Sequence, residues 1–195
     1  MRLLVSLPAL LAVAVLVFMS SACSGRADQE SVVWDDDSKT CLIPSVGMRV
    51  ALPADGDWTV ACGDSLPGEM VFCALDAERQ ILVAAVIPSV TIATDHVAQL
   101  DREECRRMVS ELTRQQSEAV YGDIELQPVV ARCGGLLRFR QVVELAAADT
   151  VAALPVVCDG IFGVGNRRPF IVFDMHAASA AGVMDAIVEG LSAAI

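Results

Sequence analysis

The first 25 residues constrain the fold most, because the sequence predicts that most of them are removed before the mature chain folds. Arg2 is followed by an apolar run from Leu3 to Met19 and then by small residues that end at Cys23. A positive start, an apolar middle and small residues at a cleavage point are typical of an export signal. The apolar run contains Pro8 and is shorter than the roughly 20 residues of a stable transmembrane helix. We therefore predict a cleaved signal peptide over residues 1–22.

The residues before Cys23 resemble the cleavage site of bacterial lipoprotein signal peptides. Ser20, Ser21 and Ala22 stand in the three positions before the cysteine, with serine at a position where that family most often has leucine. The resemblance implies that Cys23 carries a diacylglyceryl group and that the new N-terminus carries a further acyl chain such as palmitate. Several acyl chains make membrane attachment effectively stable. Two alternatives stay open, namely ordinary cleavage after Ala22, which would give a secreted protein, and an uncleaved membrane anchor.

The mature chain would hold 173 of the 195 residues, enough for one domain with its own core. Loss of Arg2 would move its net charge from −11 to −12. Such a charge argues against nucleic-acid binding, which needs clustered Lys and Arg, and against direct binding to anionic lipid headgroups. Residues 23–44 are predicted to be a lipid-anchored acidic linker, and residues 45–195 a single α+β domain. The acidic triplet Asp35–Asp37 lacks the glycine and the closing glutamate of a calcium loop, so a solvated linker is favoured.

Cysteine content indicates possible disulfides outside the cytosol. If Cys23 is lipidated, an even number of cysteines remains, which permits up to three bridges with 15 possible pairings. Cys133 and Cys158 are the favoured pair, and buried thiols are the alternative for several of the six. The spacing has no CxxC or CxH element, so no zinc site is expected. The six candidates are Cys41, Cys62, Cys73, Cys105, Cys133 and Cys158.

Apolar periodicity predicts an order of strands, a long helix, more strands and a final helix. Two amphipathic helices are expected, at residues 96–120 and 179–194, each with one apolar stripe that should lie on a sheet face. Pro53 and Pro88 are expected to end strands. A loop is expected at Asp159–Arg168. The predicted strands are Met48–Leu52, Met70–Leu75, Ile81–Ile87, Glu125–Arg132, Leu136–Leu145, Val151–Cys158 and Pro169–Phe173.

This order of elements resembles the Mog1/PsbP-like fold, an antiparallel β-sheet flanked by two helices. The similarity rests on Met48–Pro53 with Trp58 shortly after, on Leu136–Val143 after a glycine turn, and on Pro169–Phe173 before the last helix. The resemblance covers residues 45–195. It implies a domain that binds partners or assists assembly, and it supplies no active-site residues. An NTF2-like α+β fold is the nearest competitor, but that fold usually begins with helices.

Few residues are candidates for chemistry. The two histidines are His96 and His176, with Asp95 and Asp174 near them in sequence, and a general base needs such a partner within reach. Helix N-terminal positions explain both acidic residues equally well. The segment Gly163–Asn166 precedes a strand, whereas a phosphate-binding loop opens a helix, so a connecting turn is favoured.

Three arginines form the other candidate group. Arg138 and Arg140 are two residues apart on one predicted strand and therefore share a face, and Arg132 is expected on a neighbouring strand. They are candidates for binding an anion or an acidic partner. Pairing with carboxylates of the protein itself is the favoured use.

The sequence therefore favours a non-enzymatic, membrane-anchored extracytoplasmic lipoprotein whose domain binds an unknown protein partner or supports assembly of the cell envelope. No catalytic residue and no cofactor are expected. A small-ligand carrier with a cavity between sheet and helix is the first alternative, and a hydrolase or redox protein is the second.

Overall fold

Antiparallel strands dominate the computed structural model, which describes residues 32–63, 66, 69–88, 103, 119–145 and 154–193. Within these residues the strands form two sheets with an antiparallel pairing at every recorded step. One helix, α1 (Met184–Gly190), follows the last long strand. The strands are β1 (Val33–Asp35), β2 (Thr40–Ile43), β3 (Met48–Ala51), β4 (Trp58–Cys62), β5 (Met70–Asp76), β6 (Ile81–Val86), β7 (Ala119–Tyr121), β8 (Glu125–Ala131), β9 (Gly134–Leu145), β10 (Leu154–Gly165), β11 (Arg168–Ala177) and β12 (Ser192–Ala193).

The large sheet has the order β4-β5-β6-β11-β10-β9-β7, and β8 also pairs with β9. The small sheet has the order β1-β2-β3-β12. Strand β6 is buried along its whole length, as expected for a central strand that is covered on both faces. Strand β8 contains Pro128, which lacks a backbone N–H and suits an edge strand.

Two apolar cores lie on the two faces of the large sheet. The first core lies between this sheet, the small sheet and α1, and it includes Cys41, Phe72, Val83, Ile161 and Ile187. The second core lies on the opposite face, with residues such as Cys158, Phe139 and Phe173. Successive residues of a strand point to opposite faces, which is why Cys158 belongs to the second core while its neighbour Asp159 faces the first.

The hairpin predicted around Asp76–Arg79 is confirmed, since β5 pairs with β6 from Asp76 and Ile81 onward. Strand β3 starts at Met48 and ends before Pro53, as predicted. The predicted loop Asp159–Arg168 is wrong. The chain continues as β10 to Gly165, and a two-residue turn at Asn166–Arg167 leads directly into β11.

The positive φ angles of Asn166 and Arg167, 48° and 63°, suit the turn that matches the twist of a tight hairpin. The glycines of the segment Gly163–Asn166 thus lie at the end of a strand, and no helix follows them. This placement agrees with the connecting turn that the sequence favoured over a phosphate-binding loop.

The predicted linker 23–44 requires correction from residue 33 onward. Val33–Asp35 and Thr40–Ile43 are strands of the small sheet, because Trp34 and Ile43 bury apolar surface in the first core. Asp35 ends β1, and Asp36 and Asp37 begin the turn to β2, where Asp35 accepts hydrogen bonds from Asp37 N and from Ser38. Residues 1–31, which include the predicted signal peptide and Cys23, lie outside the described residues.

The prediction of two flanking helices is not confirmed. The C-terminal helix covers Met184–Gly190 instead of 179–194, and the chain then forms strand β12 beside β3. The predicted helix 96–120 lies outside the described residues, except for Glu103, which is helical, and Ala119–Val120, which begin β7. Among the described residues, no helix has the length and apolar character needed to cross a bilayer.

Candidate functional site

Buried charged groups collect where α1 crosses the large sheet. Strand register places Asp159 of β10 directly opposite Asp174 of β11. Both are almost fully buried, at 5% and 0% exposure. Two like charges opposite each other destabilise a sheet, and a buried carboxylate is costly unless it is paired. Each aspartate must therefore have its own partners. We call Arg138, Asp159, Asp174, His176 and Asp185 the α1 polar cluster.

Asp174 is held by one residue of its own strand and one at the start of α1. Its Oδ1 lies 3.1 Å from Nδ1 of His176, two residues further along β11 and on the same face. Its Oδ2 accepts a 2.6 Å hydrogen bond from the backbone N–H of Val183, the residue before α1. An ionised carboxylate only accepts hydrogen bonds, so His176 donates from Nδ1 in this contact. Both carboxylate oxygens of Asp174 are thus engaged.

Asp159 is paired by an arginine from the neighbouring strand β9. Arg138 donates from Nε to Asp159 Oδ1 at 2.8 Å and from Nη2 to Asp159 Oδ2 at 2.7 Å. This two-pronged geometry is the strong form of an arginine–carboxylate pair. Arg138 also donates from Nη1 to Asp185, an exposed residue in the first turn of α1. The hydrogen bond to Asp159 is the main cause that raises the pKa of Arg138, so the guanidinium stays charged at any physiological pH.

Little space remains around the histidine. A β-carbon added at Gly182 would lie 2.5 Å from His176 Cε1 and 2.8 Å from Asp174 Oδ2, closer than such atoms approach in proteins. His176 itself is only 4% exposed. A His–Asp pair can act as a general base when a substrate atom reaches the free ring nitrogen. Here the backbone at Gly182 closes over the pair, and the arrangement holds α1 on the sheet.

The cysteine closest in sequence to the cluster is not an activated nucleophile. Cys158 precedes Asp159 but points into the second core. Burial, together with the negative charges of Asp174 and Asp159, raises the pKa of its thiol far above the ordinary range. Nucleophilic cysteines instead need a lowered pKa and some exposure.

The favoured disulfide, Cys133 with Cys158, does not form in the structure. Both are free thiols. They cannot meet, because Cys133 packs against the first core and Cys158 lies in the second core, on the other face of the large sheet. Cys105, like Cys23, lies outside the described residues. Burial raises the pKa of the remaining thiols at Cys41, Cys62 and Cys73, to about 11 for Cys73.

The three candidate arginines do not converge. Arg138 pairs with carboxylates of the protein itself, as the sequence favoured. Arg140, on the same strand, is exposed, and Arg132 is exposed in the turn between β8 and β9. His96 and Asp95 lie outside the described residues. Within the described ranges, no group of three or more His, Cys, Asp or Glu side chains could hold a metal ion.

Sequence reasoning placed Asp174 near His176 but missed Asp159 and Asp185. The alternation Asp174-Met175-His176 puts the two polar residues on one face of a strand, and that pattern was available. Asp159 was assigned to a loop. Its burial follows only from the pairing of β10 with β9 and β11, which no local pattern shows.

Comparison with known proteins gives a distant structural likeness. The chain is similar to the solution structure of cyanobacterial PsbP (CyanoP) from Synechocystis sp. PCC 6803, with a TM-score of 0.41 and 13% sequence identity over 82% of this chain and 87% of that one. No protein-family model and no curated protein sequence matches the chain. At that similarity we transfer no residue role and no activity.

Proposed function

We propose that this chain is a non-catalytic, membrane-anchored extracytoplasmic lipoprotein whose domain binds a protein partner or supports envelope assembly. The α1 polar cluster is the observation that supports the non-catalytic part. Its acidic, basic and imidazole groups are engaged with one another and with the backbone of Val183. Side chains that pair with one another in this way hold a helix in place, and within this cluster they leave no ionised group available to a substrate.

The proposed anchor is the acylated Cys23. The strongly acidic composition supports attachment through lipid chains, because a net charge of −11 disfavours adsorption to anionic headgroups. Strand β1 begins at Val33, so few residues would separate the lipid from the folded domain. The domain would thus be held close to the bilayer surface, where it meets partners in or near the membrane.

The test is intact-mass and fractionation analysis of the protein expressed in a bacterium with a lipoprotein-processing pathway. The wild type is expected in the membrane fraction, with a mass that begins at Cys23 and includes the acyl chains. Cys23→Ala is expected to lose the lipid mass and to leave the membrane after processing. Cys133→Ala is the matched control, since it removes a different cysteine and should leave lipidation unchanged. A soluble, unlipidated wild type would overturn the proposal.

One observation favours a small-ligand carrier as the second candidate. Gln141 is 4% exposed, and its Nε2 donates to Gly122 O at 2.8 Å, but its Oε1 is buried without a hydrogen-bond partner among the described residues. An unsatisfied buried acceptor is costly, and a ligand with an N–H or O–H group would satisfy it. Native mass spectrometry of protein extracted from its host distinguishes the two, since a carrier would retain a ligand mass that Gln141→Leu loses.

A further inference from the structure

Two cysteines from different sheets face the same space. Cys41 lies on β2 of the small sheet, directly opposite Trp34 of β1. Cys62 ends β4 of the large sheet, directly opposite Phe72 of β5. Residues directly opposite each other in an antiparallel pair share a face of the sheet. The side chains of Cys41 and Trp34 therefore project from one face, and those of Cys62 and Phe72 from another.

These two faces meet at a stacked aromatic pair. The rings of Trp34 and Phe72 have centroids 5.8 Å apart and an interplanar angle of 29°. Cys41 is fully buried beside this stack, and Cys62 is partly buried against the same first core. The stack thus brings the strands that carry the two cysteines into contact across the space between the sheets.

The other described cysteines are excluded as partners of Cys62 by the strand register. Cys73 lies opposite Ala61, so it points to the other face of the large sheet and belongs to the second core. Cys158 belongs to that core too. Cys133 lies in the turn that leads into β9, five strand spacings from β4 in the order of the large sheet. At about 4.8 Å per spacing, that separation is roughly 24 Å, far beyond the reach of a disulfide.

The electrostatics of the thiols agree with this placement. Burial is the first cause that raises the pKa of Cys41, and a negative charge on Cys62 is the second. The same second cause raises the pKa of Cys73, so Cys62 lies near both thiols. The strand faces distinguish the two, since Cys41 belongs to the first core and Cys73 to the second. Cys62 is more exposed than Cys41, and burial raises its pKa as well.

We propose that Cys41 and Cys62 form an intramolecular disulfide that joins the small sheet to the outer edge of the large sheet. The oxidant is a disulfide such as glutathione disulfide. The thiolate of Cys62 attacks one of its sulfurs, forms a mixed disulfide and releases one glutathione thiolate. The released glutathione thiolate takes the proton of the buried Cys41 thiol. The Cys41 sulfur then attacks the sulfur of Cys62 and releases the second glutathione. The protein loses two electrons and two protons, and the oxidant becomes two thiols. This chemistry does not depend on the proposed function.

The test is disulfide mapping of the full-length protein after equilibration in a glutathione redox buffer and alkylation of the remaining thiols. Trypsin cleaves after Arg49, which separates Cys41 from Cys62, and a glutamate-specific protease cleaves after Glu69, which separates Cys62 from Cys73. The expected product is a linked peptide pair that contains Cys41 and Cys62, with a mass lower than that of the two reduced peptides by two hydrogens.

Cysteine variants test whether the linked pair is Cys41 with Cys62. Oxidation should raise the thermal midpoint of the wild type, because a cross-link constrains the unfolded chain. Cys62→Ser, at a partly buried position, should fold, form no linked pair and show no such rise. Cys133→Ser is the matched control and should retain both. A linked pair of Cys62 with Cys105 or with Cys73 would overturn the proposal. So would full alkylation of Cys41 and Cys62 after oxidation and denaturation.

Discussion

Replacement of Asp174 by asparagine removes the charge that two buried donors share. The hydrogen bonds from Val183 N and from His176 Nδ1, at 2.6 Å and 3.1 Å, both end on this carboxylate. Bonds to a charged acceptor contribute about 1.5–3 kcal/mol each. Asparagine keeps one acceptor oxygen for Val183 N and turns its NH2 group toward His176 Nδ1, which must change tautomer to accept it, so both charged bonds become neutral. Because Asp159 is already paired with Arg138, relief of repulsion between the aspartates is small. We expect a loss of about 2–4 kcal/mol.

Urea unfolding followed by circular dichroism measures this loss. For an m-value of about 2 kcal/mol per molar, the midpoint should fall by roughly 1–2 M with m unchanged. Asp185→Asn is the matched control, because its carboxylate is 85% exposed and exposed ion pairs contribute only about 0–1 kcal/mol. An Asp174→Asn protein within about 0.5 kcal/mol of the wild type would refute the reasoning that the cluster secures α1.

Three further outcomes are expected. Gly182→Ala should lower the thermal midpoint because its β-carbon would overlap His176, and a midpoint equal to that of the wild type would contradict this packing. The pKa of Asp55 in the folded protein lies below 3.8 because Arg79 donates a hydrogen bond to its carboxylate. This pair stabilises the folded state fully above the pKa that Asp55 has in the unfolded chain, and the stabilisation is lost as the pH falls through the lower pKa of the folded protein. Arg79→Gln should therefore raise the pKa of Asp55 in an NMR titration. Cys158 should resist iodoacetamide in the folded protein up to pH 9 and react only on unfolding, and rapid labelling of the native state would contradict its burial and raised pKa.

Strands with local stop signals were predictable from the sequence. β3 ends before Pro53, and the polar turn Asp76–Arg79 joins β5 to β6. Strand β11 was placed through its apolar run but begins at Arg168 and continues through Asp174 and His176 to Ala177. Asp174 and His176 made the end of this strand hard to predict, because charged groups rarely occupy a fully buried strand unless another part of the fold supplies a partner.

The division into two sheets was not predictable from local patterns. Strand β10 contains Asp159 and several glycines, and both residue types disfavour strands. Tertiary pairing overrides this preference, since β10 lies between β9 and β11 and is hydrogen-bonded on both sides. Segments 33–35 and 40–43 were assigned to an acidic linker because both are short and flank the acidic residues Asp35–Asp37. Their strand structure depends on the contact of Trp34 with Phe72, which lies far along the chain.

The α1 polar cluster explains how so short a helix can form after the last long strand. A seven-residue helix is not stable alone, because nucleation is unfavourable and few internal bonds follow it. Val183, at the N-cap position, has no side-chain group that could cap the helix. Asp174 of β11 binds the backbone N–H of Val183, and Arg138 of β9 binds Asp185 two residues later. The sheet thus supplies the contacts at the start of the helix that the local sequence lacks. The need to hold the helix start accounts for the buried acidic groups, in a domain whose described residues include no activated nucleophile.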